Sequence, residues 1–131
     1  VDRDAVVELL PLVRRSSMTL VTWGSLAQGL LSGKYDEKSI FGHDDRRSRY
    51  ENFSGAKLQA NLRTVESLKK VAQTVGKTPA QVAIRWLLDT PGVGSVLFGA
   101  KRPAQVEENV GSLDWRLSEE DYGILEAATS G

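Results

Sequence analysis

The chain has 131 residues, 40% of them hydrophobic and 26% charged, with 17 Lys and Arg set against 17 Asp and Glu. That composition suits one soluble globular domain able to bury roughly two thirds of its unfolded surface, and zero formal charge argues against bulk nucleic-acid binding, which needs a basic face. No apolar run reaches the ~18–20 residues of a membrane span, Val1-Asp2-Arg3-Asp4 lacks the cationic start and apolar stretch of a signal peptide, and the absence of cysteine removes disulfides, thiolate metal ligands and cysteine nucleophiles together.

Residues 5–15 read as a helix, with Pro11 either near its start or kinking it. Residues 18–23 are β-branched and apolar and end at Gly24, which suits a short buried parallel strand. Residues 24–56 are glycine-punctuated and charged without clear periodicity, and so long a stretch in a compact domain is often functional. From Lys57 to Val75, Leu58, Leu62, Val65, Leu68, Val71, Ala72 and Val75 form one apolar stripe of a helix, closed by Gly76 as C-terminal cap. Thr78-Pro79-Ala80-Gln81 reads as a capping box that opens a largely buried helix through Leu88. After the break at Pro91-Gly92, Ser95 to Phe98 is the second strand. Pro103 to Gly111 is a helix, and Ser118 caps a last one carrying Tyr122, Leu125 and Ala128. Two strands with crossover helices between them are the βα alternation of a parallel sheet. There are no internal repeats, and the fold class is α/β.

Three constellations carry chemistry. Trp23 ends the first strand, and Gly24, Gly29 and Gly33 with Lys34 follow it in a loop. Glycines let backbone amides approach a ligand, and a lysine can meet a phosphate; the same residues also suit a surface loop beside a core tryptophan. The segment from Val96 to Asn109 runs from a strand through Gly99, Lys101, Arg102 and Pro103 into a helix. That is the wiring of an anion site, with helix-terminal amides beside fixed positive charge, and equally an ordinary strand-to-helix turn with solvated cations. Gln105, Glu108 and Asn109 share one helix face at i, i+3 and i+4, which fits one shared ligand or a polar solvent face. The third is the mixed run Asp44-Asp45-Arg46-Arg47-Ser48-Arg49, which alone reads as a solvated loop.

Together, the run Trp23-Gly24-Ser25-Leu26-Ala27-Gln28-Gly29-Leu30-Leu31-Ser32-Gly33-Lys34-Tyr35, the helix Thr78–Leu88 and the run from Gly99 to Asn109 resemble the last third of an aldo-keto reductase, over nearly the whole chain. The resemblance implies one partial domain, residues 1–131, forming the C-terminal part of a (β/α)8 barrel. It further implies that Trp23 stacks on a nicotinamide ring, that Leu26, Gln28 and Gly29 line a pyrophosphate with Lys34 nearby, and that Arg47 (or Arg46) folds over the adenosine end. Gly99, Lys101 and Arg102 then meet a 2′-phosphate, while Gln105, Glu108 and Asn109 hold the adenine and its ribose. The cations favour NADP(H) over NAD, because a 2′-phosphate is a dianion that needs them. Gly24 and Ser25 stand where the family usually has Ser-Pro. The missing hydroxyl at position 24 weakens one expected phosphate contact, which the hydroxyl of Ser25 can partly replace.

The family reduces aldehydes or ketones with a tyrosine acid, a lysine, an aspartate and a histidine from the first half of the barrel, and nothing here matches those motifs. Tyr35, Tyr50 and Tyr122 lie in other contexts, and His43, the only histidine, stands in a charged loop where a solvated role is the ordinary one. No catalytic residue and no metal site is therefore assigned. A complete barrel needs ~250 residues. With Val at position 1 and Met18 the only methionine, the chain is expected to begin inside a longer reading frame. The expected partners are the nicotinamide cofactor and, if the other half is supplied, a carbonyl substrate, with Tyr50 and Phe53 as residues that can contribute to its choice. Neither nucleic acid nor a membrane is expected. Uncovered strand edges and an apolar barrel face expose the chain to self-association. The rival readings are a non-catalytic cofactor-binding or assembly module and an inactive truncated remnant. A reducing cytoplasm is the expected compartment.

Overall fold

The structure, a computed structural model, describes residues 8–129. Helix α1 (Leu10–Arg14) has Pro11 in its first turn, just after a break at Leu9 that separates it from helical Glu8. Positions 5–7 of the expected helix lie outside the described residues. Leu10 and Val13 are buried, and they crowd Gly92, where an added Cβ would come within 3.0 Å of Leu10 Cδ2. Gly92 also has φ +103°, so its place at the entry to the second strand suits glycine on both counts.

Strands β1 (Leu20–Thr22) and β2 (Val93–Val96) pair in parallel, Leu20 opposite Val93 and Thr22 opposite Val96, with a register irregularity between Leu20 and Val21. The second strand starts two residues before the position the sequence suggests. The missing side chain of Gly94 lets the chains close up: a Cβ there would run into Oγ1 of Thr19. Leu97 and Phe98 lie past the strand end.

The segment 24–56 is ordered by short 3₁₀ turns: Ala27–Ser32, broken by a kink at Gln28 and Gly29, then Arg46–Arg49 and Glu51–Phe53. Its apolar residues Ala27, Leu30, Leu31 and Phe53 are buried in the core. Helix α2 (Gly55–Val75) begins two residues earlier than expected and ends at Gly76 with φ +66°, the left-handed cap that glycine adopts without a Cβ penalty. Val65, Leu68, Val71 and Ala72 of its stripe are buried, while Leu58, Leu62 and Val75 pack at the margin. Each buried aliphatic side chain contributes about 1.5–3 kcal/mol relative to exposure.

Helix α3 (Pro79–Asp89) opens with the expected capping box. Thr78 Oγ1 accepts from the Gln81 amide at 3.3 Å, and Gln81 Oε1 accepts from the Thr78 amide at 3.0 Å. The other end of Gln81 donates to the Glu108 carbonyl at 2.7 Å, tying α3 to helix α4 (Pro103–Val110). Helix α5 (Glu119–Ala127) is capped by Ser118, whose hydroxyl accepts from the Asp121 amide, and it stops one residue before Ala128. It closes the core with Leu125, and its Glu126 accepts from the Trp86 indole at 3.0 Å.

Below the end of α3, Asp89 is an electrostatic knot. One carboxylate accepts from Arg85 Nη2 at 3.0 Å, Arg116 Nη1 at 3.1 Å and the Leu117 amide at 3.0 Å. Among the described residues the sheet has two strands, each with an unpaired outer edge, and Met18, Val21 and Leu97, in or next to them, are exposed. Among the described residues, no helix is long and apolar enough to cross a membrane.

Candidate functional site

The two strands end together. The Leu97 amide donates to the Thr22 carbonyl at 3.0 Å, so Trp23-Gly24 and Phe98-Gly99 leave the sheet side by side at its C-terminal edge. In parallel α/β sheets that edge is where ligands bind, because the loops diverge there and helix N-termini converge. Trp23 stands at this edge with 87% of its surface exposed. A whole indole face left in water is costly for a folded chain unless something covers it. The core-tryptophan alternative is thus excluded for Trp23; Trp86 plays that part.

The loop after Trp23 reverses sharply. Ala27, Gln28 and Gly29 have φ of 47°, 55° and 90°, and the Leu26 carbonyl accepts from the amides of Gly29 and Leu31 at 2.9 and 3.2 Å. Two non-glycine residues in the left-handed region cost on the order of 1–3 kcal/mol each. They persist because Ala27, Leu30 and Leu31 anchor the turn in the core. Leu26 packs its side chain against that core, whereas Gln28 is exposed at the apex. Lys34 folds back over Gly29 with Nζ 5.0 Å from the Tyr35 ring centre. The Ser25 hydroxyl is hydrogen-bonded to Thr22 Oγ1 at 2.8 Å, which ties it to the end of β1.

The Asp44–Arg49 run is a built structure rather than a solvated tether. Asp45 caps its 3₁₀ turn by accepting from the Arg47 amide at 3.0 Å. The same carboxylate takes Arg47 Nε on both oxygens, at 2.9 and 3.1 Å, and also pairs with Nη2. Arg47 Nη1 donates to the Tyr35 hydroxyl. The guanidinium carbon lies 4.7 Å from the Phe41 ring centre and 5.1 Å from that of Tyr35. Tyr35, Phe41 and Phe53 hold one another edge to face at 5.0–5.8 Å. The Arg47 guanidinium holds the Asp45 carboxyl down at about 2, helped by the Arg47 amide and by the charge of Lys101, while partial burial opposes them. His43 is exposed, 3.8 Å from Asp44.

In that turn, Gly99, Lys101 and Arg102 are exposed. The amide cradle expected at the start of α4 is not free, because Gln105 Oε1 accepts from the Lys101 amide at 2.7 Å and the Arg102 amide at 3.1 Å. A glutamine at the third helical position reaches back to the cap, as in a capping box, and Pro103 has no N–H to offer. The positive charge of the turn therefore resides in its side chains. Gln105, Glu108 and Asn109 do not present one uniform face: Gln105 is half-buried with its oxygen committed, Glu108 is exposed, and Asn109 is 5% exposed. Asp45, Tyr35 and Phe41 were not legible as site residues. The aspartate two residues before Arg47, a spacing that favours a side-chain-to-backbone turn, was the one available signal.

A family model of the Aldo/keto reductase family matches residues 1–130. The chain belongs to the aldo/keto reductase family. It is 36% identical over 121 residues to the aldo-keto reductase YhdN of Bacillus subtilis (strain 168), covering 92% of this chain and 37% of that protein. It is 39% identical over 111 residues to a probable voltage-gated potassium channel subunit beta of Arabidopsis thaliana, covering 82% and 33% respectively. The structure of the glycerol dehydrogenase AKR11B4 from Gluconobacter oxydans superposes with a TM-score of 0.87 at 28% identity, over 97% of this chain and 38% of that one. The chain thus spans between 33% and 38% of the length of these relatives. Its α/β fold is the matching portion of the family's (β/α)8 barrel, with two parallel strands and their helices.

Proposed function

We propose that this chain binds NADP(H) as the cofactor-holding portion of an aldo-keto reductase-like oxidoreductase that reduces aldehydes or ketones. The observation that carries the reading is the joint exit of the two strands, which sets a bare indole beside a turn bearing exposed Lys101 and Arg102. The cofactor, when bound, supplies a hydride for a carbonyl carbon. This chain's own task is to hold it. Trp23 offers a flat apolar face for the nicotinamide ring. The strained reversal at Gln28 and Gly29, with Lys34 folded over it, suits the pyrophosphate. Arg47, Lys101 and Arg102 supply the cations that favour a 2′-phosphate, and hence NADP(H) over NAD. Leu26 shapes the loop from beneath, Gly99 keeps the turn open, and Gln105, Glu108 and Asn109 border the adenosine end. No residue here is assigned the catalytic proton.

The test is a titration of the folded chain with NADPH, following tryptophan fluorescence and, in parallel, heat. Saturable quenching that Trp23→Ala abolishes, with a weaker calorimetric affinity, is the expected result. A sample with native circular dichroism that binds no NADPH at millimolar concentration overturns it. The second reading is an assembly module without turnover of its own. It draws on the exposed Met18, Val21 and Leu97 beside the open strand edges, and on the likeness to a protein described as a potassium channel subunit beta. Light scattering separates the two: a defined oligomer formed without cofactor, together with no NADPH binding, favours the module.

A further inference from the structure

We propose that Asp45 is a positioning residue, which clamps Arg47 so that its guanidinium faces the phosphate of the bound cofactor ready-made rather than searching for it. This rests on the NADP(H) reading above and adds a residue that the reading does not need.

The argument is one of donors and planes. A guanidinium has five N–H groups in a rigid fork. Asp45 takes the Nε edge together with Nη2, and Tyr35 takes one hydrogen of Nη1. One N–H on each terminal nitrogen therefore remains. Phe41 and Tyr35 lie against the guanidinium, so the head cannot swing freely. The Arg47 side chain still keeps 27% of its surface exposed, and that of Asp45 keeps 29%. The arginine is thus restrained, oriented and only partly satisfied. Ordering a free arginine on binding costs side-chain entropy, and here folding has already met that cost.

Charge counting alone points the other way. Asp45 is a carboxylate paired with Arg47, a cation that a phosphate would otherwise claim, so deleting its charge should tighten anion binding. Positioning and neutralisation therefore predict opposite signs. Asp45→Asn separates them cleanly, because asparagine is as good a turn cap as aspartate but loses the charge-assisted grip on Arg47.

The experiment titrates the full chain with NADPH and with NADH, using wild type, Asp45→Asn, Asp45→Glu, Arg47→Ala and the double variant Asp45→Asn/Arg47→Ala. Asp45→Asn is expected to weaken NADPH at least fivefold and NADH less than twofold, and Asp45→Glu to recover part of the loss. In the Arg47→Ala background, Asp45→Asn should change NADPH affinity less than twofold, because Asp45 acts through Arg47. Equal or tighter NADPH binding by Asp45→Asn overturns the positioning role and leaves the cofactor reading standing. So does an undiminished effect of Asp45→Asn in the Arg47→Ala background. Failure of wild type to bind either nucleotide overturns both.

Discussion

At the scale of single residues, two carboxylates with similar partners have different consequences because their surroundings differ. Asp89 is 9% exposed and serves Arg85, itself nearly buried, together with Arg116, whose side chain is 80% exposed. Asp89→Ala leaves Arg85 as an uncompensated buried charge and should cost about 3–5 kcal/mol in urea unfolding. Arg116→Ala removes only the exposed arm and should cost less than about 1 kcal/mol. Equal losses for the two variants would mean the knot is not organised around Arg85. Asp45, by contrast, reports through pH. Its carboxyl is held at about 2 in the folded chain against 3.8 ordinarily. Its stabilisation is therefore complete well above 3.8 and is lost as pH falls through 3.8 towards about 2. Unfolding midpoints of wild type should drop more between neutral pH and that window than those of Asp45→Asn. Parallel curves would remove the pair from the stability account.

At the scale of elements, what the chain's pattern revealed depended on how many turns carried it. Helix α2 shows its apolar stripe over 21 residues, and Leu68 at its centre is fully buried. Leu68→Ala should cost about 3–5 kcal/mol by thermal or chemical denaturation, transfer and cavity terms together. Helix α3 announces itself by local chemistry, and Thr78→Ala should cost about 1 kcal/mol through the lost cap. Both helices were legible because their causes lie within a few residues of sequence. Strand β2 starts two residues before its expected position, and only Thr19, far away in sequence, shows why glycine suits position 94 inside it. The 24–56 segment hid its order for a similar reason: 3₁₀ turns of three to six residues are too short to display a period. Within the candidate site, the resemblance singled out Trp23, Lys101 and Arg102, and the structure leaves all three exposed. The partners of Arg47 were not, since Tyr35 and Phe41 meet it through space.

At the scale of the whole molecule, a sheet of two strands is an unfinished object. Among the described residues both strands keep an outer edge, and Val21 is 56% exposed, with Met18 and Leu97 exposed as well. Such an edge recruits further strands. The weight-average mass in sedimentation should therefore rise with concentration, and Val21→Lys should lower that rise; a wild-type chain that remains monomeric throughout contradicts it. The tie between α3 and α4 has a different reach, into the variation the family can tolerate. Gln81 spends one end of its amide on the Thr78 cap and the other on the Glu108 carbonyl, and Nε2 occupies the space that a side chain at Gly111 would need. Glycine is not demanded there by backbone shape, since φ is −62°. The two positions should instead change together: relatives with a side chain at the place of Gly111 should have lost the glutamine at the place of Gln81, and Gly111→Ala should be rescued by shortening residue 81.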